Sequence, residues 1–213
     1  MGVDCHSAAT VDHGDELVVA VTCKILVMPL LILMGPFVML VDTPQPLFDF
    51  TGADVAKDWK AVNDGVMGGV SEGKFTITDR KTLEFFGTLS LANSGGFASV
   101  RTKAKTLGLE NGDTLVAKVR GDGREYSLNL YLAKPLIAFS YRATVQTKKG
   151  EWVEIEVPLD TFEATSFGRP VEDAGPVDPN EVNALGFMVS DKKAGPFKLE
   201  VEWVKVRQVA NRM

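Results

Sequence analysis

From residue 47 to residue 207, apolar and polar residues alternate, and turn-forming residues interrupt the alternation about every 8–12 positions. In the segment 139–146, for example, Tyr141, Ala143 and Val145 occupy one phase, while Arg142 and Thr144 occupy the other. A period of two is typical of a strand with one buried and one solvated face. No run with a helical period of useful length occurs. The pattern predicts an all-β chain of about ten strands, folded as a two-sheet jelly-roll β-sandwich.

The same phase separates the aromatic residues. Tyr141 and Trp203 share a face with aliphatic residues, so we expect them in the core. Tyr131 and Trp152 are in phase with polar residues, so we expect them to face outward. Outward aromatic residues predict a recognition surface for a sugar or a protein, unless the one long loop, at residues 165–179, covers them.

The apolar residues are distributed unevenly along the chain, and this predicts its domain organisation. Residues 1–41 form an N-terminal extension, in which positions 25–41 carry no charge. A linker at 42–46, the sandwich at 47–207 and a tail at 208–213 follow. Seventeen uncharged residues are compatible with a signal peptide or with an uncleaved membrane anchor. Any membrane contact is therefore expected only through this apolar run.

The N-terminal extension also carries a prediction about location. It contains no arginine, whereas mitochondrial import peptides are rich in arginine and amphipathic. We therefore expect a bacterial protein, either exported to the periplasm or the exterior or anchored in the membrane.

The predicted sandwich lacks cysteine and histidine, because both residues of each kind lie within the first 41 positions. This excludes a Ser-His-Asp or Cys-His nucleophile, a Cys/His zinc site and a disulfide framework. Its basic and acidic residues nearly balance, so no basic stripe for nucleic acid is expected. The turns around Asp64 and Asp122 could offer oxygen ligands to calcium, but as plain turns they need no ion. We expect no cofactor, no metal and no nucleic-acid partner.

Two pairs of glutamates could in principle support catalysis. Glu154 and Glu156 share one face of a predicted strand, as do Glu200 and Glu202. Glycosidases use two carboxylates about 5–9 Å apart. Any solvent-facing strand shows the same alternation, however, so a carboxylate-based glycosidase is only a subordinate alternative to a domain without catalytic residues.

Several motifs occur in a fixed order along the chain. Trp59 precedes the block VNDGVMGGVS at 62–71, and FGTLSL begins at Phe86. NSGGFASVR, RGDGREY, GEW, PL and GPFKLEVEW then begin at positions 93, 120, 150, 158 and 195. Together these blocks resemble the complex I intermediate-associated protein 30 family over residues 47–207.

The resemblance implies a galactose-binding-like jelly-roll sandwich. It also implies a function, because mitochondrial members of the family act as assembly factors for respiratory complex I and plant members assist photosystem assembly. No catalytic residues carry over from the family. By resemblance, the chain is expected to be a non-enzymatic domain that acts as a chaperone-like or scaffold partner of protein subunits, with the subunits of a membrane complex as candidates. The alternative is an exported carbohydrate-binding module.

Eight residues from the motifs and the outward positions form the candidate binding surface. They are Asn63, Asp64, Met67, Arg101, Arg120, Asp122, Tyr131 and Trp152. Two readings stay open for them. The glycine-rich block can bind a partner or simply close turns, and the arginines and Asp122 can contact a ligand or fix strand register.

Overall fold

In the part of the chain that the structure describes, thirteen β-strands are joined by turns and single-turn 3-10 helices. The computed structural model describes residues 43–134 and 139–208. The predicted N-terminal extension at 1–41 and nearly all of the tail lie outside these residues. None of the helices within 43–134 and 139–208 has the length and the apolar character that a membrane span requires.

The strands are β1 (Gln45–Asp49), β2 (Trp59–Asn63), β3 (Glu72–Ile77), β4 (Leu83–Leu89), β5 (Ala98–Thr102), β6 (Thr114–Gly121), β7 (Glu125–Leu132), β8 (Ser140–Gln146), β9 (Trp152–Pro158), β10 (Glu163–Ser166), β11 (Arg169–Pro170), β12 (Val182–Val189) and β13 (Gly195–Arg207). The 3-10 helices are Val55–Asp58, Asp64–Met67, Ala92–Ser94, Leu159–Thr161, Glu172–Ala174 and Pro179–Glu181.

The strands form two antiparallel sheets, which confirms the predicted all-β sandwich. The six-stranded sheet has the order β3-β4-β13-β6-β9, and β1 also pairs with β13. The seven-stranded sheet has the order β11-β10-β8-β7-β12-β5-β2. β1 begins at Gln45, within the segment predicted as a linker, and β10 and β11 form a hairpin at the start of the predicted long loop.

Both sheets contribute one face to a single hydrophobic core. Phe85, Leu199 and Val201 come from the six-stranded sheet, and Leu128 and Phe187 come from the seven-stranded sheet. All five are fully buried. Burying a large apolar side chain contributes about 1.5–3 kcal/mol, so this shared layer stabilises the sandwich. The opposite face of each sheet is left for polar residues.

Trp203 departs from the predicted pattern. The pairing of β13 with β6 skips one residue, so that Val201 lies opposite Val119 and Trp203 lies opposite Lys118. Such a bulge reverses the phase of all residues that follow it. Val204, one residue beyond Trp203, is therefore the buried side chain. The prediction that Trp203 lies in the core is wrong, and its ring instead packs under the Lys205 ammonium group at 4.1 Å.

Candidate functional site

A cleft of about 750 Å³ opens on the outer face of the seven-stranded sheet. Its floor includes Arg101 from β5, Tyr131 from β7, Arg142 from β8 and Met188 from β12. These four strands are consecutive in the sheet, in the order β8-β7-β12-β5. The alternation of each strand therefore places these side chains on the same face, away from the core.

The charged residues of the cleft all have the same sign. Among the described residues that line it, Arg101, Arg142 and Lys192 are basic, and none is acidic. The whole chain, in contrast, has a formal charge of −5. Clustered charges of one sign in a cleft concentrate the electrostatic potential there, so this cleft favours anions.

Arg101 lies flat on an aromatic ring at the floor of the cleft. Its guanidinium carbon is 4.4 Å from the centroid of the Tyr131 ring, and its Nε donates to the Ser99 hydroxyl at 3.0 Å. Gly186 belongs to β12, which lies between the strand of Arg101 (β5) and the strand of Tyr131 (β7). A Cβ at Gly186 would approach the Arg101 Cγ to 3.1 Å. Because Gly186 has no side chain, the Arg101 side chain can cross β12 and reach the Tyr131 ring.

Arg142 is partly buried and has weak partners. Its two terminal nitrogens lie 3.4 Å from the Ser190 hydroxyl and 3.2 Å from the Met188 sulfur. Its buried Nε has no hydrogen-bond acceptor in the part of the chain that the structure describes. Burial lowers the pKa of Arg142, against an opposing effect of Tyr131. Within residues 43–134 and 139–208, neither Arg142 nor Arg101 has an acidic side chain within ion-pairing distance.

The Tyr131 hydroxyl is also buried, and none of the residues at 43–134 and 139–208 offers it a hydrogen-bond partner. Burial raises the pKa of this phenol, and the nearby Arg101 and Arg142 charges oppose the rise. The hydroxyl therefore keeps its proton at neutral pH and can donate a hydrogen bond. A buried donor without an acceptor costs free energy unless a bound group supplies one.

Asp64 lies behind one wall of the cleft and holds that wall through hydrogen bonds. Its carboxylate is fully buried and accepts hydrogen bonds from the Ser71 hydroxyl at 2.6 Å, the Ser71 amide at 2.9 Å and the Gly96 amide at 2.7 Å. Burial raises the pKa of Asp64, but these bonds outweigh it and hold the pKa below its ordinary value. Since Gly96 and Phe97 line the cleft, Asp64 fixes the position of that wall.

The rim of the cleft is apolar and exposed. Met67, Leu91 and Phe167 line it, and their exposed fractions are 46%, 45% and 79%. Phe167 occupies the tip of the β10–β11 hairpin with φ of 49°, followed by Gly168 with φ of 75°. A non-glycine residue in this left-handed region is strained. The chain thus holds a large apolar side chain in solvent at a conformational cost.

The eight residues predicted from the sequence fall in three places. Met67, Arg101 and Tyr131 line the cleft. Asn63 and Asp64 support it from behind, where the Asn63 amide donates to the Gly73 carbonyl at 3.1 Å. Arg120, Asp122 and Trp152 belong to the strands and turns of the six-stranded sheet, so the structure does not bring all eight together.

Arg120 belongs to an ion network on that other sheet. Its Nε donates to the buried Glu200 carboxylate at 3.2 Å, and the Thr82 hydroxyl donates to the same group at 2.8 Å. Burial raises the pKa of Glu200, but the bonds from Arg120 and Thr82 outweigh it and lower the pKa. The guanidinium carbon of Arg120 lies 4.8 Å from the Trp152 ring.

Asp122 lies at a shallower groove of about 720 Å³, on the six-stranded sheet. Its carboxylate accepts from the Arg124 amide at 3.1 Å, the Tyr126 hydroxyl at 3.2 Å and the Lys198 amide at 2.9 Å. These bonds tie a turn to two strands. The geometry is that of a structural turn.

The glutamates that suggested catalysis are paired with cations in most cases. Glu156 accepts from Arg207 at 2.7 Å, Glu202 pairs with Lys118 at 2.7 Å, and Glu200 belongs to the Arg120 network. Within the described ranges, no group of three or more histidine, cysteine or acidic side chains is placed to hold a metal ion.

Sequence reasoning missed several residues of the cleft. The polar phase of β8 placed Arg142 on the outer face, near the outward aromatic residues, but Arg142 is not one of the eight candidate residues. Leu91 and Phe167 belong to turns, whose position relative to the sheet depends on tertiary contacts. Met188 belongs to β12, in which apolar residues occupy both phases, so the sequence does not show which of them face outward.

Comparison with known proteins gives a family and a fold. The model of the family described as "Complex I intermediate-associated protein 30" matches residues 48–201. A relative in Drosophila melanogaster with that name, marked mitochondrial, is 31% identical over 74% of this chain and 61% of its own length. The relative with the same name in Mus musculus is 25% identical over 79% of this chain and 57% of its own length. The chain thus spans somewhat more than half of these curated relatives.

The solved structures that resemble this chain share its fold at low sequence identity. A family 11 carbohydrate-binding module from Clostridium thermocellum, in complex with a β-1,3-1,4-mixed-linked tetrasaccharide, superimposes with a TM-score of 0.59. The two chains are 15% identical, and the match covers 79% of this chain and 97% of the module. At this identity the likeness shows a β-sandwich of the galactose-binding-like type and nothing about the ligand.

The prediction of a bacterial exported or membrane-anchored protein is wrong. Relatives in Drosophila melanogaster, Mus musculus and Neurospora crassa are all named as mitochondrial proteins. The prediction rested on the apolar run at 25–41 and on the lack of arginine before it, whereas the family match at 48–201 rests on the sandwich. The residues of the run lie outside the described part of the chain.

Proposed function

The chain belongs to the complex I intermediate-associated protein 30 family, and from this membership we propose that its sandwich is a non-enzymatic module that binds a protein subunit during assembly of a membrane complex. Subunits of respiratory complex I are the first partners to test, because the relatives carry that complex in their names. The proposal assigns the binding to the cleft on the seven-stranded sheet.

The observation that carries the proposal is the exposed apolar rim. Met67, Leu91 and Phe167 are three of the five large hydrophobic side chains that are exposed within the described residues, and all three surround one cleft. Val66, exposed by 76%, adjoins Met67 in the sequence. Apolar side chains gathered around a cleft are typical of protein-binding surfaces, because contact with a partner removes them from water.

A photo-crosslinking experiment tests this assignment. A photoreactive phenylalanine analogue replaces Leu91 at the rim in the full chain, expressed in its native cell. The matched control carries the analogue at Thr76, an exposed position on the six-stranded sheet. We expect mass spectrometry to identify a subunit of a membrane complex crosslinked at position 91 and absent at position 76.

The competing function is carbohydrate binding, because the fold resembles that of a carbohydrate-binding module. Sugar hydroxyls both donate and accept hydrogen bonds, whereas the arginines and lysine of this cleft only donate. One face of the Tyr131 ring is also covered by Arg101. Equal crosslinking at both positions, together with clear binding of the full chain on a glycan array, would exclude the protein-binding assignment.

A further inference from the structure

We propose that the cleft captures a carboxylate of the partner protein, from an acidic residue flanked by apolar residues, and that Arg101 and Arg142 form the ion pair with it. This inference rests on the protein-binding function proposed above and specifies its chemistry. It assigns the two arginines and Tyr131 as the recognition residues and the rim as the apolar contact.

The two arginines of the cleft have no counterion among the described residues. Arg101 is held by a ring and a serine hydroxyl, and Arg142 is held by a serine hydroxyl and a thioether. In contrast, Arg120 and Arg124, which are also partly buried, each pair with a carboxylate inside the fold. Burying a charge without a partner is costly, so a bound anion would remove a penalty that the free protein carries.

The cleft also contains hydrogen-bond donors that have no acceptor among the described residues. The buried Arg142 Nε and the Tyr131 hydroxyl have no acceptor within residues 43–134 and 139–208, and the terminal nitrogens of Arg142 have only a serine hydroxyl and a thioether as partners there. A carboxylate has two oxygens and about four lone-pair positions and only accepts, so it complements this donor set. Glu163 of β10 lies opposite Arg142 in the register, but it is exposed and does not line the cleft.

The apolar rim of the cleft favours an acidic protein segment over an isolated anion. A phosphate or a free acid would use the arginines and leave the rim in water. Met67, Leu91 and Phe167 instead offer apolar contacts around the cationic floor. A peptide in which apolar side chains flank one acidic residue satisfies both parts of the surface at once.

Selection from a random peptide library displayed on phage tests the inference on the immobilised full chain. We expect the enriched peptides to carry aspartate or glutamate between apolar residues. One enriched peptide is then synthesised with glutamate and with glutamine at that position. Titration calorimetry should show at least about tenfold weaker binding for the glutamine peptide, since it loses a charge-assisted pair.

Variants of the chain locate the effect. Arg142→Gln and Arg101→Gln should each weaken the glutamate peptide by about tenfold and leave the glutamine peptide almost unchanged. Arg80→Gln is the matched control, because it removes the same charge from the six-stranded sheet, where Glu200 keeps Arg120 and Thr82. Tyr131→Phe removes one donor without changing the charge and should weaken binding by about threefold. Thermal unfolding verifies that each variant is folded.

The possible results separate this inference from the function on which it rests. Equal affinity for the glutamate and glutamine peptides, or enriched peptides without acidic residues, would overturn the carboxylate assignment while crosslinking at Leu91 still supported a protein partner. Displacement of the peptide by inorganic phosphate, at concentrations where acetate has no effect, would assign the site to phosphate instead. Loss of the crosslink would remove the protein-binding function itself.

Discussion

At the scale of single residues, the buried charges of this protein fall into two groups. Asp64, Glu200 and Asp191 have their partners inside the fold, and their bonds lower the pKa of each carboxyl. Arg101 and Arg142 have no ionic partner among the described residues. Because the first group is satisfied internally, it stabilises structure, whereas the second group offers unused binding capacity.

Replacing Asp64 with asparagine tests its structural role. An amide offers one acceptor oxygen in place of two, and its NH₂ group would face the amides that now donate to the carboxylate. We expect Asp64→Asn to lower the free energy of unfolding by about 2–4 kcal/mol. Denaturant titration measures the loss. Asp160→Asn, an exposed control, should change it by less than about 0.5 kcal/mol.

Replacing Phe167 should stabilise the fold and weaken peptide binding. It occupies the first central position of a two-residue hairpin turn in which both residues have positive φ, a turn that favours Asn-Gly. Phe167→Asn should therefore raise the free energy of unfolding by roughly 1 kcal/mol. The same change should weaken the enriched peptide, because the rim loses apolar area. Increased stability with unchanged affinity would show that Phe167 has no part in binding.

At the scale of elements, the structure of the glycine-rich loop at 62–71 shows which of its glycines can accept a side chain, and the sequence alone does not. A Cβ at Gly69 would lie 2.3 Å from the Asp64 Cγ, whereas a Cβ at Gly65 would meet nothing within 4 Å. Both glycines look equivalent in the motif. The two positions differ in whether they can accept a side chain, because the Asp64 carboxylate turns inward toward Ser71 and Gly96. This orientation is seen only in the folded loop.

This contrast gives a matched pair of variants. Gly69→Ala should force the Asp64 carboxylate out of position and lower the free energy of unfolding by about 1–3 kcal/mol. Gly65→Ala should leave it within about 0.5 kcal/mol of the original protein. Thermal and denaturant unfolding of both variants measure the difference. Equal losses in the two variants would mean that the contact with Asp64 is not what excludes a side chain at position 69.

The predictability of the elements follows from how local their causes are. The strands of the seven-stranded sheet were predictable because alternation is a local property, and it placed Tyr131 correctly outside the core. Trp203 was misplaced because one bulged residue in β13, set by pairing with β6, reverses the phase. The cleft was predicted only in part, since Leu91 and Phe167 reach it through turns whose positions no local pattern determines.

At the scale of the whole molecule, the two sheets have different outer faces. The six-stranded sheet carries a network in which Arg80 and Arg120 both pair with the Glu200 carboxylate. The seven-stranded sheet carries the cleft with Arg101 and Arg142. A shared core holds both faces, so substitutions in the network should alter stability and substitutions in the cleft should alter binding.

Acid should destabilise the molecule through its internally paired carboxylates. The lowered pKa values of Asp64, Asp191 and Glu200 mean that the folded chain binds fewer protons than the unfolded chain does near pH 4. The stability that they contribute is complete above the pKa of the unfolded groups, about 4, and is lost as the pH falls through the folded values. Denaturant titrations should therefore show a nearly constant free energy of unfolding from about pH 7 to 5 and a decline below about pH 4.

Glu200→Gln isolates one carboxylate in this decline. The variant should be less stable than the original protein at pH 7, because Arg120 loses its buried partner, and it should lose less additional stability on acidification. Glu154→Gln removes an exposed glutamate of the same sheet and should reproduce the original pH profile. If Glu200→Gln declined as steeply as the original protein, the acid sensitivity would have to come from other carboxylates, and the network would not be its source.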